Sequence, residues 1–467
     1  MIKKLILSVK RGEWWLFGLM FAIVSLININ FNILRSARNA LVVASEGGSA
    51  ALIPYYELFG TFPASILMTW GISRLMRKYS FRSIFSMSMG FFLTFFIFFA
   101  FWIHPHRELV QSLFGHHSPD LIFYILSELW KVALLSVIFW GFINQHLSMD
   151  VAKRFYPPLM LGSSVGAILA GPITVFCTSE YTFEWLHLSH ERWQHSLYLL
   201  TTSMVLCGLF TFLAFNLLHK HLGKNPAQTE EEEKVPFKRK LLSLSSSLQY
   251  LFRSRYLLAL LFIVLAEYVS YALGELIFLE TLKEMFPTRV DYCQYLGNLT
   301  FWTGILTAFC AIILTPYLLH KFRWSYSALL TPVLMVLLTF AFFAAIYMGK
   351  MGLLPPGVSP LPFIVFLGSL HFCIGRSIKY TVFDTTKELA FIPLSQEGQM
   401  KGKLVIDGIG SRLGRGTSSL ISIGLFAMVG APGESAIFAG VIATCFALLS
   451  IPAARVISGQ LEGVQSK

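Results

Sequence analysis

A set of charged side chains stands inside, or at the ends of, long apolar runs: Arg35, Arg38, Glu57, Glu128, Lys131, Glu267, Glu275, Arg376, Lys379, Asp407 and Arg412. A lone ion in an apolar medium is costly, so a charge kept there needs a partner or a task. Both signs occur, which leaves two readings. In one, the charges neutralise each other, as Glu128 and Lys131 would one helical turn apart. In the other, cations converge on an anionic ligand, and the carboxylates pair with those cations when the ligand leaves. The second reading makes Arg38, Lys379 and Lys387 the principal cations, with Arg376 and Arg412 in support. Glu128, Glu275, Asp407, Lys131 and Arg35 complete the candidate set, and Glu57 and Glu267 are expected to be structural or to face the lumen only.

The elements that must position these groups are membrane helices. Runs of roughly 20 apolar residues are long enough to cross a bilayer. They fall near Trp15 to Leu34, Ile53 to Leu75, Ile84 to Ile103, Leu121 to Ile143, Leu159 to Phe176 and Leu197 to Leu218. Six more lie near Tyr256 to Leu279, Leu296 to Leu319, Tyr326 to Met348, Pro360 to Phe383, Leu404 to Val429 and Ala436 to Val456. On this map Arg35 and Arg38 stand at the end of the first span. The chain is 55% hydrophobic and 13% charged, against about 25% charged residues in a soluble domain. A buried soluble core does not account for that balance. The first run continues into Asn28, Asn30, Asn32 and Arg35 without a small-residue cleavage site, so it reads as a retained span.

With the N-terminus inside, most of the 37 Lys and Arg fall on the inner loops, as cationic residues flanking short loops should. Both termini are therefore expected in the cytoplasm, with the chain multi-pass in the cell (inner) membrane. The same bias explains the net charge of +12 and removes it as an argument for a nucleic-acid partner. The six cysteines form no CxxC pair, so neither a disulfide framework nor a metal site is expected. His104, His106, His116 and His117 share an outer loop that lacks a cysteine or a compact acid cluster and reads as solvated.

The longest polar connection, 219–255, separates an N-terminal half, 1–218, from a C-terminal half, 256–467. It carries an acidic run Glu230 to Glu233, a basic run Lys238 to Lys240, and Leu244, Leu248, Leu251 and Phe252 at helical spacing. A linker leading into an amphipathic helix on the cytoplasmic leaflet fits this pattern, as does a partner-binding segment. The halves also echo each other. Asp150-Val-Ala-Lys153 with Pro157 follows the fourth span, and Asp384-Thr-Thr-Lys387 with Pro393 follows the tenth. Each segment leads into a span rich in glycine, Gly162, Gly166 and Gly171 or Gly408, Gly410, Gly414 and Gly416, the residue that lets membrane helices approach closely. The expected fold is an all-α membrane protein of 12 transmembrane helices in two six-helix halves, on the major-facilitator plan.

Three ordered blocks carry a family resemblance. The first is Glu128-Leu-Trp, then Phe139-Trp-Gly-Phe-Ile-Asn-Gln145, then Asp150 to Pro157. The second runs from Glu275 through Leu282-Lys283, Phe286-Pro287 and Asp291-Tyr292 to Trp302-Thr-Gly304. The third is Lys379-Tyr-Thr-Val-Phe-Asp384-Thr-Thr-Lys387-Glu388, then Ile392-Pro393-Leu394, Lys401-Gly-Lys403, Ile406-Asp407 and Arg412-Leu-Gly414. Together they resemble the nucleotide transporters, the ATP/ADP translocases of plastids and obligate intracellular bacteria. The resemblance implies exchange of ATP and ADP across a membrane, on a fold unrelated to the mitochondrial carrier, with some members moving other nucleotides or NAD. It also implies four important charges, one each in the first, fourth, seventh and tenth spans. The two glutamates fall on Glu128 and Glu275, the tenth-span lysine on Lys379, and the first-span lysine position reads Arg38, where a planar fork replaces a point charge. The chain departs from the family at Ser36 and Asn39, where acids are usual, at Leu279, where a lysine is frequent, and at Glu57, near another usual lysine.

The expected substrates are accordingly ATP, ADP or related nucleotides, carried by a monomer with no cofactor, either as an ATP:ADP antiport or with a coupling proton. A rival class, a membrane enzyme acting on phosphorylated substrates, would need a nucleophile with its base, a metal cluster or a phosphate-cradling glycine loop. The sequence carries no Walker-type loop and no HExxH, and its Gly408–Gly416 stretch lies within a span. A purely structural or receptor role leaves the distributed intramembrane charges without a purpose.

Overall fold

The computed structural model describes residues 11–222, 244–403, 405–406 and 411–465. Among them all regular elements are helical. The principal helices are α1 (Trp14–Val43), α2 (Phe62–Leu75), α3 (Phe81–Phe98), α4 (Ser118–Lys131), α5 (Met149–Cys177) and α6 (Arg192–Leu222). They are followed by α7 (Arg255–Met285), α8 (Arg289–Phe309), α9 (Trp324–Lys350), α10 (Pro360–Ile378), α11 (Ser411–Val429) and α12 (Pro432–Gln465). Among the described residues, ten helical stretches are long and apolar enough to cross a membrane. The two remaining expected spans are less regular. The second is assembled from Leu52–Tyr55, a π-helical turn Tyr56–Thr61 and α2, and the eleventh is represented by the shorter apolar helix Leu413–Val429.

The chain forms two compact units. One holds Met1–Gly48, Phe59–Phe237 and Phe286–Ala308, and the other holds Ser49–Leu58, Lys238–Met285 and Phe309–Lys467. In the first unit α1 is the central element and packs on α4, α5 and α6. It contains four asparagines, and polar groups away from water must be satisfied locally. Asn28 and Asn32 donate to the carbonyls one turn back, Val24 O and Asn28 O, each at 2.8 Å. Asn30 donates across to Met204 O on α6 at 3.0 Å, and Trp130 Nε1 of α4 donates to Ile27 O at 3.1 Å. In the second unit α7 is central, packing on α10, α11 and α12. Ser270 ties it to Ala443 O at 2.7 Å, and Tyr256 ties it to Ala390 O at 2.5 Å. The helix Leu244–Arg253 buries Leu251 in an apolar cluster with Tyr256, Leu257, Phe391 and Ile457. The acidic and basic runs of the connection before it lie outside the described residues.

Two expectations are corrected. Helix α1 does not stop near Leu34 but continues to Val43, because Ala40-Leu41-Val42-Val43 resumes the apolar pattern after the charges. Arg35 and Arg38 thus sit within the helix and not at its end. His104 is not solvated with its loop neighbours His106 and His116, which are exposed. It is 6% exposed, bonded through Nδ1 to Gln194 Oε1, and burial pushes its pKa down to about 4.

The close approach of α5 to α1 depends on the absence of a side chain at position 166. A Cβ there would lie 2.6 Å from Asn28 Cβ and 2.8 Å from Ser25 O, a backbone atom that cannot swing aside. Gly166→Ala should therefore destabilise the protein by about 1–3 kcal/mol, the usual cost of overpacking. A lower thermal midpoint in detergent checks this, with Gly71→Ala, inside α2 where nothing lies within 4 Å, expected to hold or raise the midpoint because alanine is the better helix former.

Candidate functional site

Each unit carries its own cluster of buried charge. In the first, Arg38 of α1 is 5% exposed. Its Nη2 donates to Glu128 Oε1 of α4 at 2.5 Å, and its guanidinium carbon lies 4.7 Å from the centre of the Tyr124 ring. Tyr124 and Glu128 are four residues apart on α4, so one helix face presents both groups to the same cation. Glu128, 15% exposed at its side chain, is a charge-assisted acceptor in a nearly dry setting. Lys131, one turn further along, places its Nζ 4.8 Å from the centre of the Phe31 ring of α1. Arg35 is half-buried on α1.

In the second unit Lys379 is 6% exposed. Its Nζ lies 3.6 Å from the centre of the Tyr268 ring and 5.2 Å from that of Tyr271, both on α7. Arg376 lies against Phe372 and Tyr380, at 5.6 and 5.9 Å from their ring centres. Cation–ring contacts of this kind gain strength when water is excluded. Glu275 is half-buried on α7. Lys387 lies in the short helix Asp384–Ala390 and pairs with Asp384 at 3.5 Å. Glu57 accepts from Ser419 at 3.3 Å. Arg412 stands in the first turn of α11, its side chain outside the described part, and Asp407 lies outside the described residues.

The helices bearing the two clusters share a local irregularity. Directly after Lys131 the chain winds as a π-helix over Val132–Phe139, and at Lys379 it does so over Lys379–Phe383. A π segment holds an extra residue per turn and is frequent at functional sites. The fourth and tenth spans therefore both change winding at a lysine, half-buried at Lys131 and buried at Lys379.

The sequence marks Arg38, Glu128, Lys131, Arg376 and Lys379 as candidates but not the rings packed against the four cations. Tyr124 lies one turn before Glu128, and Tyr268 and Tyr271 one to two turns before Glu275. Helical spacing could therefore have flagged them, although aromatic residues are too common in spans to stand out alone. Glu267, which the sequence leaves as structural or lumen-facing, is 5% exposed, and its Oε1 has no hydrogen-bond partner among the described residues.

Solved structures with the same fold include transporters. A bacterial homologue of the iron transporter ferroportin superposes with a TM-score of 0.62 at 12% identity, covering 95% of this chain and 98% of that one. The nucleoside transporter NupG gives 0.62 at 13% identity, covering 95% and 99%. The chain shares the fold of these structures, and its long apolar helices are those of a multi-pass membrane protein. The profile of the TLC ATP/ADP transporter family matches residues 1–117 and 112–461, and the chain belongs to that family. It is 31% identical over 461 residues to ADP,ATP carrier protein 1 of Chlamydia trachomatis, covering 92% of this chain and 85% of the relative. It is 29% identical to ADP,ATP carrier protein 3 of Rickettsia bellii, with 92% and 90% covered. With the chloroplastic ADP,ATP carrier protein 1 of Arabidopsis thaliana the identity is also 29%, covering 96% and 74%.

Removing one member of a buried ion pair strands the other, at about 3–5 kcal/mol, whereas removing both can be nearly neutral. Arg38→Gln and Glu128→Gln should each lower the thermal midpoint in detergent, and the double variant should lose less than the sum of the two. A double-mutant cycle measures this coupling, and additive losses would mean the contact contributes nothing.

Proposed function

We propose that this transporter exchanges ATP for ADP by alternating access, as a monomer in the cell (inner) membrane with both termini cytoplasmic. The observation that carries the reading is a pair of buried cations, Arg38 and Lys379, each within an apolar helical stretch. A nucleoside triphosphate brings several negative charges, and leaving water must be offset by cations placed where the dielectric constant is low. Two unit charges 4 Å apart attract by about 4 kcal/mol at an effective dielectric constant of 20, against about 1 kcal/mol in water. A few such contacts offset the dehydration, and a single one does not.

Glu128 fits a role between substrates. While no phosphate is bound, its carboxylate holds Arg38 at 2.5 Å and spares the guanidinium from standing bare. A phosphoryl oxygen then takes the place of Glu128 on the same fork, trading one charge-assisted bond for another. In this scheme the carboxylates are exchange partners, not ligands of phosphate, since like charges repel. Relatives named ADP,ATP carrier support adenine nucleotides as the cargo.

The departures at Ser36, Asn39 and Leu279, all buried at 3%, 5% and 2% exposure, favour a second reading in which the cargo is another nucleotide or NAD. A leucine where relatives often carry a lysine removes one cation and should weaken preference for the most highly charged ligand.

Lys379→Gln should abolish uptake of labelled ATP into proteoliposomes while the protein still folds and inserts; normal transport by this variant would refute the proposed role. Wild-type uptake should require internal nucleotide and be indifferent to uncouplers. Uptake that collapses with the proton gradient would instead assign the carrier to symport. Competition of labelled ATP uptake by ADP, other nucleotides and NAD checks the departures. A selectivity broader than ATP and ADP is expected if these buried positions line the binding region, and strict ATP/ADP preference would show that they are neutral.

A further inference from the structure

The two buried cations are held in different ways. Arg38 has a carboxylate, Glu128. Lys379 has none within 4.0 Å among the described residues, although it interacts electrostatically with the buried Glu267 of α7, and its ammonium lies over the rings of Tyr268 and Tyr271, 3.6 and 5.2 Å from their centres. The rings are themselves fixed. Gly414 of α11 backs Tyr268 so tightly that a Cβ there would meet Tyr268 Cβ, Cγ and Cδ2 at 2.8 Å. Gly375 backs Tyr271, where a Cβ would lie 3.3 Å from Cδ2. The His371 ring runs nearly parallel to Tyr271, at 14° and 6.1 Å between centres, and Gly274 leaves the room His371 needs.

We propose that Tyr268 and Tyr271 form an aromatic cage that holds the Lys379 ammonium in the empty carrier and presents it to the anionic substrate. This deepens the reading above and rests on it: Lys379 must be a cation that meets phosphate. A ring face attracts an ammonium through its quadrupole and carries no net charge. The cage therefore steadies Lys379 without cancelling its field, whereas a carboxylate at the same place would compete with the incoming phosphate. An arriving phosphoryl group gains the full attraction of the ammonium and displaces only the weaker ring contact. Tyr268 and Tyr271 are positioning residues for binding, acting through Lys379. Gly414, in the Arg412-Leu413-Gly414 segment, acts one step further back by setting the Tyr268 ring.

The test uses the full chain in proteoliposomes, with labelled ATP as the probe. Tyr268→Phe and Tyr268→Trp keep a ring face and should leave KM within about twofold, whereas Tyr268→Leu should raise KM about tenfold, with maximal rate less affected. Phenylalanines carrying one, two and three ring fluorines at position 268 keep shape and volume while draining the ring of negative potential, so folding is not at issue. KM should climb stepwise along that series, at constant protein in the membrane and constant thermal midpoint. A KM that stays flat across the fluorinated series overturns the cage. Lys379→Gln, run alongside, separates the two failures. If it is inactive while the fluorinated series is flat, only the cage is wrong. If it transports normally, the role of Lys379 falls and the cage with it.

Discussion

The cost of a bare charge in a medium that cannot solvate it governs this protein. Arg38 and Lys379 are 5% and 6% exposed, so neither can rely on bulk water. Two different partners meet that demand: a carboxylate at hydrogen-bond distance for Arg38, and two ring faces for Lys379. The distinction matters because the partners leave different residual fields. A carboxylate in contact offsets most of a guanidinium's field, whereas a ring face carries no net charge and leaves the ammonium's own field in place.

The same constraint shapes the surroundings. Asparagines along α1 turn their amides onto carbonyls of their own helix or of α6, since an unsatisfied amide in lipid is costly. Small residues replace bulk where helices must approach. Gly166 brings α5 onto α1, and within the same unit Gly171 and Gly297 bring α5 and α8 together; a Cβ added at any of the three would lie 2.6–3.0 Å from an atom of the facing helix. Without a hydrophobic drive between helices in lipid, such close packing is a main source of cohesion. The helices that carry charge are thus held by the contacts that glycine permits.

The sequence made most of the frame readable because long apolar runs have few alternatives. It also marked Arg38, Glu128, Lys131, Arg376 and Lys379, because a charge inside such a run is conspicuous. The extent of α1 was harder to read, since Arg35 and Arg38 depress local hydropathy and mask the apolar residues that continue to Val43. Partnership was harder still. Glu128 has Lys131 one turn away in sequence, yet the cation that meets it at 2.5 Å belongs to another helix. Tyr268 and Tyr271 escaped notice because aromatic residues are ordinary in a span and acquire meaning only from the ammonium that packs on them. Glu267 reads in sequence like any other intramembrane acid, and only its burial separates it from a lumen-facing group.

The π-helical windings after Lys131 and at Lys379 bear on how such a chain changes over generations. A single residue inserted into an α-helix turns everything beyond it by about 100°, which would swing a buried charge off its face. A π segment already stores one surplus residue per turn, so losing that residue lets the segment relax to α-helix while the flanking stretches keep their orientation. Single-residue losses should therefore be tolerated at 132–139 and 379–383 among descendants of this chain, as at the other π-helical turns 56–61, 99–103 and 310–314, more readily than elsewhere in the spans.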